Sequence, residues 1–415
     1  MGDSRWRVLF YNLGGGPHQE GDAFAFTEGG LVHALYSFSR LVDLCDTTIV
    51  CPNVPLEVCG RRFVVNGVTI DCPAPPTAAR WLWSDEFSFT ERPLQTILRL
   101  PSVLMSYRRL RRDALEARPH VILANGIVGS YMVGREWTHV AVVAVIHHLF
   151  QDPWSRGSDE ATHGVAAQAE GWLLRHLNVD GIAVVNPAVR ERLVAMGFDS
   201  SRIEMVGNGV DPRLYTFQAE THRGDVVYVG RLRKDKRVDL LIDMMTIVHR
   251  ERPGTVLHIV GDGGQRRSLL RRVRRLGLEH MVRFHGYLSE RKKVALMQSC
   301  SVYVSASRFE GFGIPLVEAM AAGTVPVVSD IPAHRFIFQG RDVGLMANSA
   351  PEMAARVLEL LSDDKARMRR AYEGRRLVEE LWTWDAVAAR YRRLLEVVCG
   401  ERYGVGRCMA ESVVV

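Results

Sequence analysis

The chain has 415 residues, 47% apolar and 24% charged, the make-up of a soluble globular protein with room for two cored domains. A net charge of +6 suits phosphorylated ligands or an anionic surface and is too mild to indicate nucleic acid. The seven cysteines are odd in number without a CxxC pair, no apolar run is long enough for a membrane span, and the first apolar run is too short for a signal peptide. Reduced thiols in a cytoplasmic or membrane-peripheral protein are therefore expected.

Arg7–Tyr11 reads as a buried strand running toward Gly14-Gly15-Gly16. After a polar loop, Thr27-Glu28-Gly29-Gly30 precedes Leu31–Val42, whose apolar residues recur at helical spacing. Strand, glycine-rich loop and helix open a doubly wound α/β domain. Thr48–Val50 and Phe63–Val65 continue as strands of βα units, followed by a helix over Thr96–Ala117. Val121–Ala124, Val140–Ile146 and Gly181–Val185 are predicted strands, with helices around Gln168–Leu177 and Ala188–Met196. Strand Ile203–Val206 leads to the turn signal Asn208-Gly209-Val210-Asp211, and polar Phe217–Gly224 reads as a linker. A second βα series follows: strand Asp225–Val229, helix Val238–Arg250, strand Val256–Val260 and helix Gln265–Leu276. Val282–His285, Val302–Ser305 and Val325–Val328 add short strands, and Thr383–Val398 is an amphipathic helix. Two consecutive parallel α/β domains are expected.

Glu310 lies in a glycine-bracketed loop, and Glu318 falls eight positions later inside a helix that Pro315 can start. Gly311 and Gly313 allow close backbone approach, and the N–H groups near Ile314 and Leu316 would face an anion. A glycosidase pair would place two carboxyls across one bond. Here one carboxyl precedes the helix and the other lies within it, so they are expected to grip different parts of one extended ligand. Plain surface carboxylates are the alternative. Gly230-Arg231-Leu232-Arg233-Lys234-Asp235-Lys236 follows a strand, where α/β sheets bind ligands. Arg231 as a fork and Lys236 as a point charge would clamp phosphates; a solvated basic turn is the alternative.

Neither Gly14–Gly16 nor Gly261–Gly264 completes GxGxxG, which argues against a nicotinamide-dependent dehydrogenase. His147 and His148 stand at a strand's C-terminal end with no third ligand at suitable spacing, so no metal is expected. The arginine-rich helices Ser106–Arg118 and Arg266–Leu278 read as outer faces packed by leucines, with attraction to anionic lipid as the alternative.

These motifs, in this order, resemble the GT-B retaining glycosyltransferases of family 4. The likeness rests on Glu310-Gly-Phe-Gly-Ile-Pro-Leu-Val-Glu318, Gly230-Arg231-Leu232 with Lys236, Asn208-Gly209-Val210-Asp211, Val260–Gly263 and Phe284–Tyr287. It implies two Rossmann-like domains, 1–207 for the acceptor and 208–383 for the nucleotide sugar, with a helix over 384–399 crossing back. It also implies a catalytic set of Glu310, His147, Arg231 and Lys236. Arg231 and Lys236 would bind the diphosphate, with amides of Gly313, Ile314 and Leu316. Glu310 and His147 would lie at the donor sugar, Glu318 at the ribose, and Gly286 and Tyr287 at the base. Gly15 and Gly16 are assigned to the donor side, although Gly29-Gly30 with Glu28 also fits the family's glycine pair, and His148 departs from the pattern. The partners implied are a nucleotide sugar, UDP- or GDP-linked, and a hydroxyl acceptor, with no cofactor. A lipid-linked acceptor on a membrane, or non-catalytic nucleotide-sugar binding, are the competing readings.

Overall fold

The computed structural model describes residues 5–12, 18–20, 23–25, 29–51, 61–72, 118–136, 140–147, 149, 160–217 and 224–403. The expected Gly14–Gly16 loop, Glu28, helix Thr96–Ala117, His148 and most of the linker lie outside them.

Valine-rich strands buried on both faces assemble into two mainly parallel sheets, as the uninterrupted apolar runs require. The first runs, in spatial order, Ile203–Met205, Gly181–Val184, Ala141–Ile146, Val121–Asn125, Trp6–Asn12, Cys45–Val50, Val68–Cys72 and Arg61–Val65. The second runs Val282–Gly286, Leu257–Val260, Val226–Val229, Val302–Ser305, Val325–Val328 and Leu345–Met346, parallel throughout. Helices follow the strands. One expectation fails at the edge of the first sheet: Arg61–Val65 is no βα strand but pairs antiparallel with Val68–Cys72. Asn66 and Gly67, at φ 49° and 80°, make the two-residue hairpin turn between them.

The chain passes from one sheet to the other after Val206 and returns at Trp382–Trp384. The two crossings touch. The Val210 N–H donates to the Trp382 carbonyl at 2.8 Å, and a Cβ on Gly209 would stand 2.6 Å from the Trp384 nitrogen. Only glycine permits that approach. Helix Trp384–Tyr403 then lies back on the first sheet, with Leu394 and Val398 against Gly181.

His33, on helix Gly29–Phe38, ties this junction together. One ring nitrogen, Nδ1, meets Asn208 Oδ1 at 2.8 Å, and Nε2 meets the Tyr391 hydroxyl at 2.7 Å. Burial lowers His33 to about 4, against the raising effect of Asn208, so the ring is neutral at neutral pH. The hydrogen-bond pattern then has Nδ1–H donating to Asn208 and Nε2 accepting from Tyr391.

Candidate active site

The C-terminal ends of the two sheets meet. From the second sheet, the segment after Val302–Ser305 carries Glu310 into the junction. Lys236, in the short 3-10 turn Lys234–Lys236, places Nζ 2.7 Å from Glu310 Oε1 and also donates to the Phe309 carbonyl at 3.2 Å. The Ser307 hydroxyl donates to the same Glu310 oxygen at 2.7 Å. Both charged side chains are largely withdrawn from water, at 16% and 19% exposure. Burial opposes ionisation of Glu310, but Lys236, with Ser307 in support, holds its carboxyl below the usual carboxylate range. His334, on helix Pro332–Phe338, is buried and donates from Nδ1 to the Ser329 carbonyl at 2.7 Å. Desolvation lowers it further than Glu310 raises it, so it faces the pair as a neutral ring.

The first sheet supplies neutral groups. Asn186 Nδ2 donates to the Glu310 carbonyl at 2.7 Å, while its Oδ1 caps helix Pro187–Ala195 through the Ala188 N–H. A Cβ on Gly311 would lie 3.4 Å from the His147 carbonyl, so the glutamate loop runs close along the end of strand Ala141–Ile146. The His147 ring stands edge-on to His33 with centroids 5.3 Å apart.

Helix Ile314–Ala322 starts from Gly313 at φ 107° with Pro315 in its first turn. The two amides expected to face an anion differ in their present bonding. The Leu316 N–H already donates to the Gly313 carbonyl at 3.0 Å, a tight first turn that leaves Ile314 as the better-placed amide. Arg231 ends exposed just beyond strand Val226–Val229. Its loop is fixed from behind, because Gly261, at φ 123°, lets its Cα approach the Gly230 carbonyl where a Cβ would come within 2.1 Å. The Val260–Gly263 block therefore packs two loops together, a task its spacing does not reveal.

Comparison with known proteins follows the same division. The sequence pattern described as Glycosyltransferase Family 4 matches residues 28–214, and that of Glycosyl transferases group 1 matches residues 217–377. Only residues 215 and 216 separate the two matches. The chain belongs to the family 4 glycosyltransferases. A glycogen synthase of Mycobacterium tuberculosis is 28% identical over 282 residues, covering 66% of this chain and 65% of that protein. A phosphatidyl-myo-inositol mannosyltransferase of the same organism is 33% identical over 241 residues, covering 54% and 60%. The chain thus spans less than two thirds of the length of either relative. Among solved structures, the sucrose-phosphate synthase of Thermosynechococcus elongatus superposes with TM-score 0.72 at 16% identity, covering 94% of this chain and 98% of that one. Anabaena HepE in complex with UDP and glucose gives 0.68 at 16% identity, covering 94% and 99%. The fold is GT-B, two parallel-sheet α/β units, as the sequence motifs imply.

The remaining residues of the family pattern lie along the second sheet. Glu318, buried at 8% exposure inside helix Ile314–Ala322, pairs with Lys293 at 2.8 Å. Gly286 ends strand Val282–Gly286 at φ 66°, and its carbonyl accepts from the Gly261 N–H at 2.8 Å. That carbonyl is thereby committed to the loop, while the neighbouring Tyr287 ring is 78% exposed. Four residues at this site escape the family motifs: Asn186, Lys293, Ser307 and His334. Only Asn186 had a local signal, as a polar residue directly after a buried strand and before a proline-started helix.

Proposed function

We propose that the chain transfers a sugar from a nucleoside diphosphate sugar, UDP- or GDP-linked, to an acceptor hydroxyl, with retention at the anomeric carbon and without a divalent metal. The observation that carries this reading is the buried Lys236–Glu310 pair at the meeting of the two sheets, touched by Asn186 from the opposite side. An ammonium has three N–H donors, of which Glu310 and the Phe309 carbonyl take two. The third serves an oxygen of the departing diphosphate. Arg231 and the start of helix Ile314–Ala322 add positive potential where negative charge develops. Glu310, held ionised, is placed against the sugar rather than available as a proton donor, and its depressed pKa supports that role. The acceptor attacks on the face the phosphate leaves, and a phosphate oxygen takes its proton. His147 lies at the sugar from the first sheet. Closure of the two halves on the donor would exclude water.

A thermal-shift screen with UDP-, GDP-, ADP- and TDP-sugars should find one stabilising donor, and that donor should release its nucleoside diphosphate in the presence of EDTA. Lys236→Ala should abolish release. Turnover that needs added metal would defeat the metal-free part, and an inverted product by NMR would defeat retention. Binding without turnover of any donor would leave a nucleotide-sugar-binding protein.

A second reading places the acceptor on a membrane. Arg267, Arg271 and Arg274 are exposed along one side of helix Arg266–Leu276, and one relative is named for a phosphatidylinositol acceptor. Sedimentation with anionic liposomes at low salt should then pull the protein down; failure to bind removes this reading.

A further inference from the structure

Glu318 has a neighbour for which the donor-binding scheme gives no task. Its Oε1 accepts from Lys293 Nζ at 2.8 Å. Lys293, on helix Glu290–Ser299, also lies 2.9 Å from Glu290 Oε2, and Glu290 Oε1 accepts from the Tyr215 hydroxyl at 2.9 Å. Tyr215 is buried in the first crossing between the sheets, where its carbonyl accepts from Arg375. The chain of contacts therefore runs from the inter-sheet crossing to the helix that follows the glutamate loop. Exposure falls along it: the side chain of Glu290 keeps 58% of its surface, that of Lys293 15% and that of Glu318 10%.

A ribose diol needs a carboxylate oxygen at a fixed place, and a buried carboxylate needs a cation. Lys293 meets both needs. By taking Oε1 it sets the plane of the carboxylate and leaves Oε2 as the acceptor. It also cancels a negative charge that would otherwise repel an incoming diphosphate through a medium less screening than water. Burial alone would weaken the ammonium, but the Glu318 and Glu290 carboxylates more than offset it and hold Lys293 above the usual lysine value.

We propose that Lys293, anchored by Glu290, is a positioning residue for recognition of the nucleotide ribose, fixing the carboxylate of Glu318 toward the diol. This rests on the reading of Glu318 as the ribose grip. Calorimetry on the full chain with UDP and GDP, and with their 2′-deoxy and 3′-deoxy forms, tests the two separately. The wild type should prefer the ribonucleotide by about tenfold or more, since a site built to bond a hydroxyl rejects the analogue lacking it. Glu318→Gln should erase that preference. If the wild type binds neither nucleotide or binds ribo and deoxy forms alike, or if Glu318→Gln keeps the preference, the ribose reading itself fails. Lys293→Met should cut the preference to about twofold or less, and Lys293→Arg should restore most of it. A Lys293→Met protein that keeps the full preference while Glu318→Gln loses it overturns the positioning role alone, as does an arginine variant without rescue. Should Lys293→Met not fold, Glu290→Gln decides, because Glu290 is largely exposed. It should lower the preference about threefold, the low end of coupling between contacting groups, and an unchanged ratio overturns the inference.

Discussion

Removing the Lys236 charge while keeping its stem, as Lys236→Met, leaves Glu310 ionised and without its cation. Both side chains are more than four-fifths withdrawn from water, so surface screening rescues little. Breaking a buried pair from one side costs about 3–5 kcal/mol. The Ser307 hydroxyl still donates to the carboxylate, so the low end, about 3 kcal/mol, is the expected loss. Each kcal/mol moves the melting temperature about 2–4 °C for a unit of this size, which gives a drop of about 6–12 °C in scanning calorimetry at neutral pH. The sign with pH follows from the depressed carboxyl. In the wild type, the stability Glu310 contributes is present above its unfolded value and is lost as pH falls through the folded one. In the variant, burial acts unopposed by Lys236 and favours the protonated acid. The gap between the two proteins should therefore narrow as the pH is lowered toward the carboxylate range. Lys236→Met with Glu310→Gln should recover at least half of the lost stability at neutral pH. A gap that is absent, or that does not change with pH, would refute the view that Lys236 exists to hold Glu310 charged.

Glu310→Ala should lower turnover far more than donor affinity, and Glu318→Ala should mainly weaken the donor; steady-state rates with donor titrations check the split, and the reverse pattern would exchange the two roles. Asn186→Asp keeps the helix-cap acceptor but sets a buried carboxylate oxygen against the Glu310 carbonyl. Calorimetry should then show a lowered melting temperature, and steady-state rates a kcat lower by about tenfold as the Glu310 loop is misplaced. His33 is buried as the neutral ring, lowered from 6.5 to about 4. Its stability contribution is full above the unfolded value and fades as pH falls toward about 4, worth about 3 kcal/mol across that window. His33→Gln should flatten the acid limb of a melting-temperature profile, and an unchanged limb would assign acid sensitivity to other groups.

The strands were legible because parallel sheets buried on both faces demand unbroken runs such as Ala141–Ile146 and Val325–Val328. Glu310, Arg231 and Lys236 were legible because glycines and strand ends mark where a chain exposes backbone to a ligand. What sequence reading could not give is partnership. Lys236 and Lys293 are each one lysine in a basic stretch, and nothing local says that one meets Glu310 and the other Glu318. The bond of the Leu316 amide is equally unreadable from sequence: a first turn tightened onto Gly313 uses a donor that an ideal helix start leaves open. The edge hairpin turns on Asn66-Gly67 alone, a dipeptide that tolerates positive φ at both positions and so reverses Arg61–Val65 onto Val68–Cys72 where a βα unit is otherwise expected.

The two halves bring different physics to the junction. The second sheet carries the charge that meets the site, in Lys236, Glu310, Arg231 and the Lys293–Glu318 pair. The described residues of the first sheet that meet it, Asn186 and His147, are an amide and an imidazole, and they reach the glutamate loop largely through its backbone. A diphosphate must be held by fixed cations, so those belong on one rigid unit whose geometry does not change as a cleft opens. A group that orients the loop through carbonyl bonds can sit on the other unit, since a neutral hydrogen bond is remade at little cost. His33 stands behind that arrangement. Its neutral ring, tied to Asn208 and Tyr391, joins the crossing, the returning helix and the edge of His147 without adding a charge to the junction.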